Sequence, residues 1–219
     1  MKKMQLSIFA NIAVVLLELF VFNVEYQADG NNIFIYYTND SNLLALVSGI
    51  LYLLFGMVAV SRNRTQGIIS SWMVKKYTGM IPMAVRLLRF TATSCLMVTF
   101  TVVLTVLGPE KGYHHEFLEE TRFITHFMGP MISFGSFCFL ENEVRLPKYA
   151  PKIVLGVTVL YAVVLIILNV TGKVYGPYSF FHVLEHPIYV SVFWSIVIIG
   201  GAYVIAAMIW KLYNRTKIK

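Results

Sequence analysis

The chain has 219 residues, 58% of them hydrophobic and 13% charged, with a mean hydropathy of +0.69 and a formal net charge of +7. Such a composition excludes a soluble globular domain of this length, which would have to present to water a surface built largely from apolar side chains. The positive balance sits in short segments with no soluble domain to form a basic groove, which excludes nucleic acid as a partner and points to anionic membrane lipids.

A bilayer core of about 30 Å takes roughly 20 apolar residues per helix. Six stretches qualify, in chain order Leu6 to Val24, Asn42 to Val60, Leu87 to Leu107, Phe123 to Leu140, Ile153 to Val170 and Ile188 to Trp210. None alternates with the period of two that a membrane barrel needs, and a helix satisfies its own backbone groups in lipid. The expectation is an all-α polytopic membrane protein, one domain over residues 1–219 with six transmembrane helices.

Lys2 and Lys3 precede the first span, which is about as long as a bilayer is thick and lacks a small-x-small cleavage site, so it reads as a retained anchor. Glu18 lies within it. The second span opens on the polar block Thr38-Asn39-Asp40-Ser41-Asn42. One such residue is explained as a helix N-cap, but a cap needs one residue, and Thr38, Ser41 and Asn42 stand at i, i+3 and i+4 on one helical face. Between the second and third spans, Ile68, Ile69, Trp72, Met73 and Val74 mix with Lys75 and Lys76, in the pattern of either an interfacial helix or an irregular basic loop. Cys95 and Cys138 fall inside spans and read as buried structural thiols, with no disulfide framework.

His114-His115 with Glu116, Glu119 and Glu120 read as a solvated loop before the fourth span. That span carries Thr125-His126 and, four residues after the histidine, Pro130, with Gly129 and Ser133 beside it. His126 is either an interior histidine bonded across helices or a functional group, and the small residues suit a helix-packing seam. Ahead of the sixth span, His182-x-x-Glu185-His186 matches the spacing of an inverted zinc motif. Pro187 biases His186 away from helical geometry, so the two imidazoles are not expected to share a regular helix. Tyr175, Tyr178, Phe180 and Phe181 read as an interfacial aromatic belt.

Fifteen of the 18 basic residues precede the first span, lie at 62–89 and 145–152, or follow the last span; only Lys111, Arg122 and Lys173 fall on the opposite side. The positive-inside rule then puts both termini in the cytoplasm. On this topology Thr38 and His126 lie at one depth near the outer side, Glu18 shares their leaflet, and the inner half holds no comparable ionisable cluster. Ionisable groups within spans are costly and mark function by default.

These residues carry a resemblance. The chain resembles the six-helix membrane family that includes the androgen-induced protein and the androgen-dependent tissue-factor-pathway-inhibitor-regulating protein, as a prokaryotic-type member. The matching pieces are Tyr37-Thr38-x-x-Ser41-Asn42-Leu43-Leu44, His126-x-x-x-Pro130 with Leu140-Glu141, Val170-Thr171-Gly172, Tyr175-Gly176-Pro177 and Leu184-Glu185-His186. The resemblance implies an intramembrane hydrolase of fatty acid esters, in a bacterial plasma membrane, without a cofactor. Thr38 would be its nucleophile and His126 its base, and a shift of register would bring Ser41 or Asn39 to the nucleophile's place.

The chemistry is coherent. A threonine hydroxyl needs a base within hydrogen-bond reach, a histidine is the usual one, and Asn42 with the free amides of a helix start can stabilise an oxyanion. Glu18 or Glu185 are the candidates to orient the imidazole. Two alternatives stand beside this expectation: a transporter or lipid- or small-molecule-binding membrane protein using the same polar residues without catalysis, and a metal-dependent hydrolase built on His126, His182 and His186.

Overall fold

A computed structural model describes residues 2–60 and 81–216, and among them every regular element is helical. The expected interfacial helix around Trp72 lies outside the described residues. In chain order the main helices are α1 (Lys2–Asp29), α2 (Tyr37–Val60), α3 (Met83–Val102), α4 (Gly108–Lys111), α5 (Tyr113–Leu118), α6 (Gly129–Phe139), α7 (Ala150–Val170) and α8 (Ile188–Arg215). A 3-10 turn, Gly30–Ile35, joins α1 to α2, and π turns occupy Val103–Leu107 and Ile124–Met128.

Five helices are long and apolar enough to cross a membrane, within Lys3–Ile35, Tyr37–Val58, Met83–Lys111, Ala150–Val170 and Ile188–Arg215. The stretch expected as the fourth span is built differently. The helix runs over 122–139 with the π turn Ile124–Met128 inside it, and α6 is the 11-residue α-helical part that follows that turn.

α3 is the central helix. It packs on α2, α6, α7 and α8, while α1 packs on α2 and α6 and α7 on α8. The α1–α2 seam is made close by small residues: a Cβ on Gly49 would stand 2.9 Å from Val15 Cγ2, so alanine there would push the helices apart. Phe90, Phe137 and Tyr213 join α3, α6 and α8, with Phe137 and Tyr213 stacked at 4.6 Å. α8 is the least buried of the five. Its exposed Ile188, Tyr189, Phe193, Ile196 and Met208 form the apolar outer surface expected where lipid is the solvent.

Two ends can be distinguished. The proximal end holds both chain termini; the distal end holds the start of α2, the segment 108–128 and the loop 171–187. Thr38 and His126 are both distal, and Glu18 lies in the half of α1 nearer them.

Candidate functional site

The distal end is assembled around the start of α2, where the backbone amides lack intrahelical acceptors. Tyr178 supplies one: its hydroxyl accepts the Tyr37 N–H at 3.1 Å and also meets the Thr38 side chain. The Tyr161 hydroxyl donates to the Ile35 carbonyl at 2.7 Å and its ring meets the edge of Tyr37. Two residues read as an interfacial belt or left unremarked thus form the wall of the site.

Thr38 lines a small cavity with Thr99, Val103, Thr158, Tyr161 and Tyr178. Ser41, one turn on, donates to the Thr38 carbonyl at 2.8 Å and lies 3.2 Å from Thr99 Oγ1, so its hydroxyl is occupied on both sides. Along the same stretch a groove of about 280 Å³ runs between α2 and α7, with Tyr37, Asp40, Ser41 and Leu44 facing Val157 and Leu165. Tyr37 and Tyr161 line both spaces.

His126 is 6% exposed and sits in the π turn Ile124–Met128, which packs on α1, α2 and α3. Its Nδ1 lies 2.6 Å from the Glu116 carbonyl oxygen. A carbonyl only accepts, so Nδ1 carries the proton and Nε2 is left as the basic nitrogen. Glu116 is buried within α5, where a solvated loop was expected, and Phe117 stands edge-on to the imidazole. The expectation that Glu18 or Glu185 orients the imidazole is corrected here, since a backbone carbonyl does so.

Thr38 and His126 approach the same part of α3. Thr38 does so through the cavity it shares with Thr99, and His126 through its neighbour Phe127, whose ring meets Phe100 at 6.3 Å. Among the described residues no hydrogen bond joins the two; the Thr38 side chain faces Tyr178. Asn42 and Asn39 turn away from Thr38 toward Glu18 on α1, which divides the polar block between two helix interfaces.

The loop before α8 is separate chemistry. His182 Nε2 donates to the Gly176 carbonyl at 2.6 Å and its Nδ1 lies 3.2 Å from the Tyr175 hydroxyl, while Tyr175 donates to Glu185 at 2.7 Å. The Tyr175 hydrogen bond and then the nearby imidazole hold the Glu185 carboxyl below the usual carboxylate range. α8 begins at Ile188, after Pro187, so the H-x-x-E-H segment is not helical. His186 is exposed beside Glu110 and Trp194, away from the two faces His182 uses. Among the described residues no three His, Cys, Asp or Glu side chains converge on a metal position.

The proximal half corrects an expectation. Arg86 and Arg89, expected among the charges flanking the third span, are buried in α3, and Arg89 is 0% exposed. Arg89 grips Glu141 through two hydrogen bonds, Nε to Oε2 at 3.2 Å and Nη2 to Oε1 at 3.0 Å. Asn11 from α1 and Ser136 from α6 donate to the same carboxylate at 2.8 and 2.7 Å. Arg86 and Tyr213 both donate to the Glu141 carbonyl, at 2.9 and 3.0 Å. An ionisable cluster therefore does occupy the proximal half, tying four helices. A lone arginine inside an apolar run was its trace in the sequence. Cys95 and Cys138 are buried free thiols, as expected.

Compared with protein families, curated proteins and solved structures, the chain matches none of them.

Proposed function

We propose that the distal site is an intramembrane hydrolase of lipid esters, with Thr38 as nucleophile and His126 as general base. The observation that carries the reading is the 2.6 Å contact from His126 Nδ1 to the Glu116 carbonyl. It fixes one tautomer of a buried imidazole and leaves Nε2 to take a proton, the role a carboxylate fills in a triad. The apolar groove between α2 and α7 suits a fatty acyl chain, and its shared wall with the Thr38 cavity at Tyr37 and Tyr161 brings an ester carbonyl to the start of α2.

The steps balance without a cofactor. Thr38 Oγ1 attacks the ester carbonyl as its proton passes to His126 Nε2, and the alcohol leaves with that proton. Water then attacks the acyl-threonine, giving its proton to the imidazole and returning a hydroxyl to Thr38. Backbone amides at the start of α2, released when Tyr178 swings aside, would hold the oxyanion. The distribution of basic residues supports both termini being cytoplasmic, and the bacterial plasma membrane is what the family resemblance implies.

A second reading is favoured by one observation: the Thr38 side chain meets Tyr178, and no hydrogen bond to His126 is made. The site would then bind a lipid or small molecule without cleaving it.

Fluorophosphonate labelling of the purified chain separates the two. Wild type is expected to be labelled, Thr38→Ala to lose the label, and His126→Gln to lower both labelling and long-chain ester hydrolysis by roughly 10²- to 10⁴-fold at little cost in thermal stability. Label that survives Thr38→Ala but not Ser41→Ala moves the nucleophile by one turn. No label on folded wild type leaves the binding reading.

A further inference from the structure

The groove between α2 and α7 keeps one polar side chain whose bonding is not taken up by its neighbours. Asp40 is half-buried along it, in the first turn of α2, where an acidic side chain is favoured. The other polar atoms of the wall are engaged. The Tyr37 hydroxyl lies 3.1 Å from Thr158 Oγ1 and meets the Cys95 thiol, the Tyr161 hydroxyl donates to the Ile35 carbonyl, and Ser41 donates to the Thr38 carbonyl. Among the described residues no lysine, arginine or histidine nitrogen lies within 4 Å of the Asp40 carboxylate.

The remainder of the groove suits a hydrocarbon chain. Its wall on α7 runs from Val157 to Leu168, a rise of about 16 Å, and its volume is about 280 Å³. Leu160 and Val164 on that wall are 64% and 47% exposed, so the groove opens sideways to lipid. Phe34, Tyr37 and Tyr161 add aromatic rings to the lining that Asp40 shares, with Tyr37 and Tyr161 edge to face at 5.0 Å.

We propose that this groove binds a single-chain lipid whose polar end is a protonated amine, with Asp40 as its counter-charge. A carboxylate set against apolar surface is strongly unfavourable without a partner. An alkylammonium brings the opposite charge and three N–H donors on one atom, and its chain covers the apolar wall of α7. The aromatic rings in the same lining favour this occupant too, because an ammonium is attracted to ring faces. A fatty acid would set a second carboxylate against Asp40, which like charges disfavour, and a fatty alcohol would offer it a single uncharged donor. Binding is read without turnover, so this inference holds whether or not Thr38 acts on an ester.

The test uses the full chain in an uncharged maltoside detergent, with a diazirine-bearing dodecylamine as photolabel and the adducts mapped by peptide mass spectrometry. Adducts are expected within 34–44 and 157–168, the two walls of the groove, and excess unmodified dodecylamine is expected to compete them away. Dodecanol is expected to compete roughly tenfold less well, and dodecanoate less well still, because only the amine makes a charge-assisted bond to Asp40. Asp40→Asn is expected to erase the difference between amine and alcohol, and Asp40→Glu to keep it. Dodecanol or dodecanoate competing as well as the amine would overturn the proposal and leave an ordinary lipid-facing groove, as would adducts confined to the exposed face of α8. Competition by the amine unchanged in Asp40→Asn would overturn it too, and the order of the three competitors on wild type decides the matter if that variant does not fold.

Discussion

The two polar clusters of this bundle, one at each end, are opposites in how their hydrogen bonds are used. At the proximal end the Glu141 carboxylate takes two bonds from Arg89 and one each from Asn11 and Ser136, and its carbonyl takes two more. Toward the distal end Glu18 and Asn42 are as deeply buried and have no hydrogen-bond partner among the described residues, while His126 keeps one nitrogen on a carbonyl and offers the other. Burial of charge inside a membrane bundle is therefore an incomplete marker of function. A carboxylate bonded on both oxygens, as in Glu141, serves as a tie between helices; one left unbonded retains chemistry.

The comparison first depends on which end faces which side. With native Cys95 and Cys138 buried, an introduced cysteine at Asn31, exposed at the distal end, is expected to react with a membrane-impermeant maleimide in intact cells, and one at Lys148, exposed at the proximal end, to stay unmodified. The reverse pattern would place the proposed ester site on the cytoplasmic face. Next in size is the proximal tie. Arg89→Ala leaves Glu141 buried without its counter-charge, a loss of about 3–5 kcal/mol, read as a failure to accumulate or a large fall in Tm. Replacing Arg89 and Glu141 together by methionine is expected to cost far less; if the double variant is as unstable as the single one, the tie is more than an ion pair. The smallest effect sharpens the distal side. Tyr178→Phe removes the acceptor of the Tyr37 amide and should cost about 1 kcal/mol. Labelling at Thr38 should hold or rise, because the phenol that competes in wild type for the amides an oxyanion needs is gone, and a loss of labelling would make Tyr178 part of the reaction.

How far the sequence foretold this varies with the interaction. The long helices α1, α2, α3, α7 and α8 were readable because twenty apolar residues in a row have few alternatives. The fourth stretch is helical over 122–139, but hydropathy averages over Ile124 to Met128 and is blind to the π turn within it, which uses one extra residue. Thr38, His126 and Glu18 were marked by being polar where lipid was expected, and Pro187 announced that His186 would leave the helix. Glu116 was read as solvated because the atom that matters, its carbonyl, is the same in every residue. Arg89 was misassigned because a charge near the edge of a span looks like an anchor until its partner Glu141, 52 positions on, is folded against it. Tyr178 was hidden for the same reason, its contact with Tyr37 being 141 residues distant in sequence.

The π turn at Ile124–Met128 makes chain length there a matter of angular phase. An α-helix advances about 100° per residue, and a π turn carries one residue more than the α-helical turn it replaces. Deleting one of its residues would let an ordinary helix form and would keep hydropathy almost unchanged. Yet everything on its N-terminal side would swing by about 100° against α6, parting Thr121 from Glu25 and the imidazole from the Glu116 carbonyl. A one-residue deletion at this point is thus expected to be more damaging than most substitutions around it, because it alters the aim of the histidine while leaving its chemistry intact.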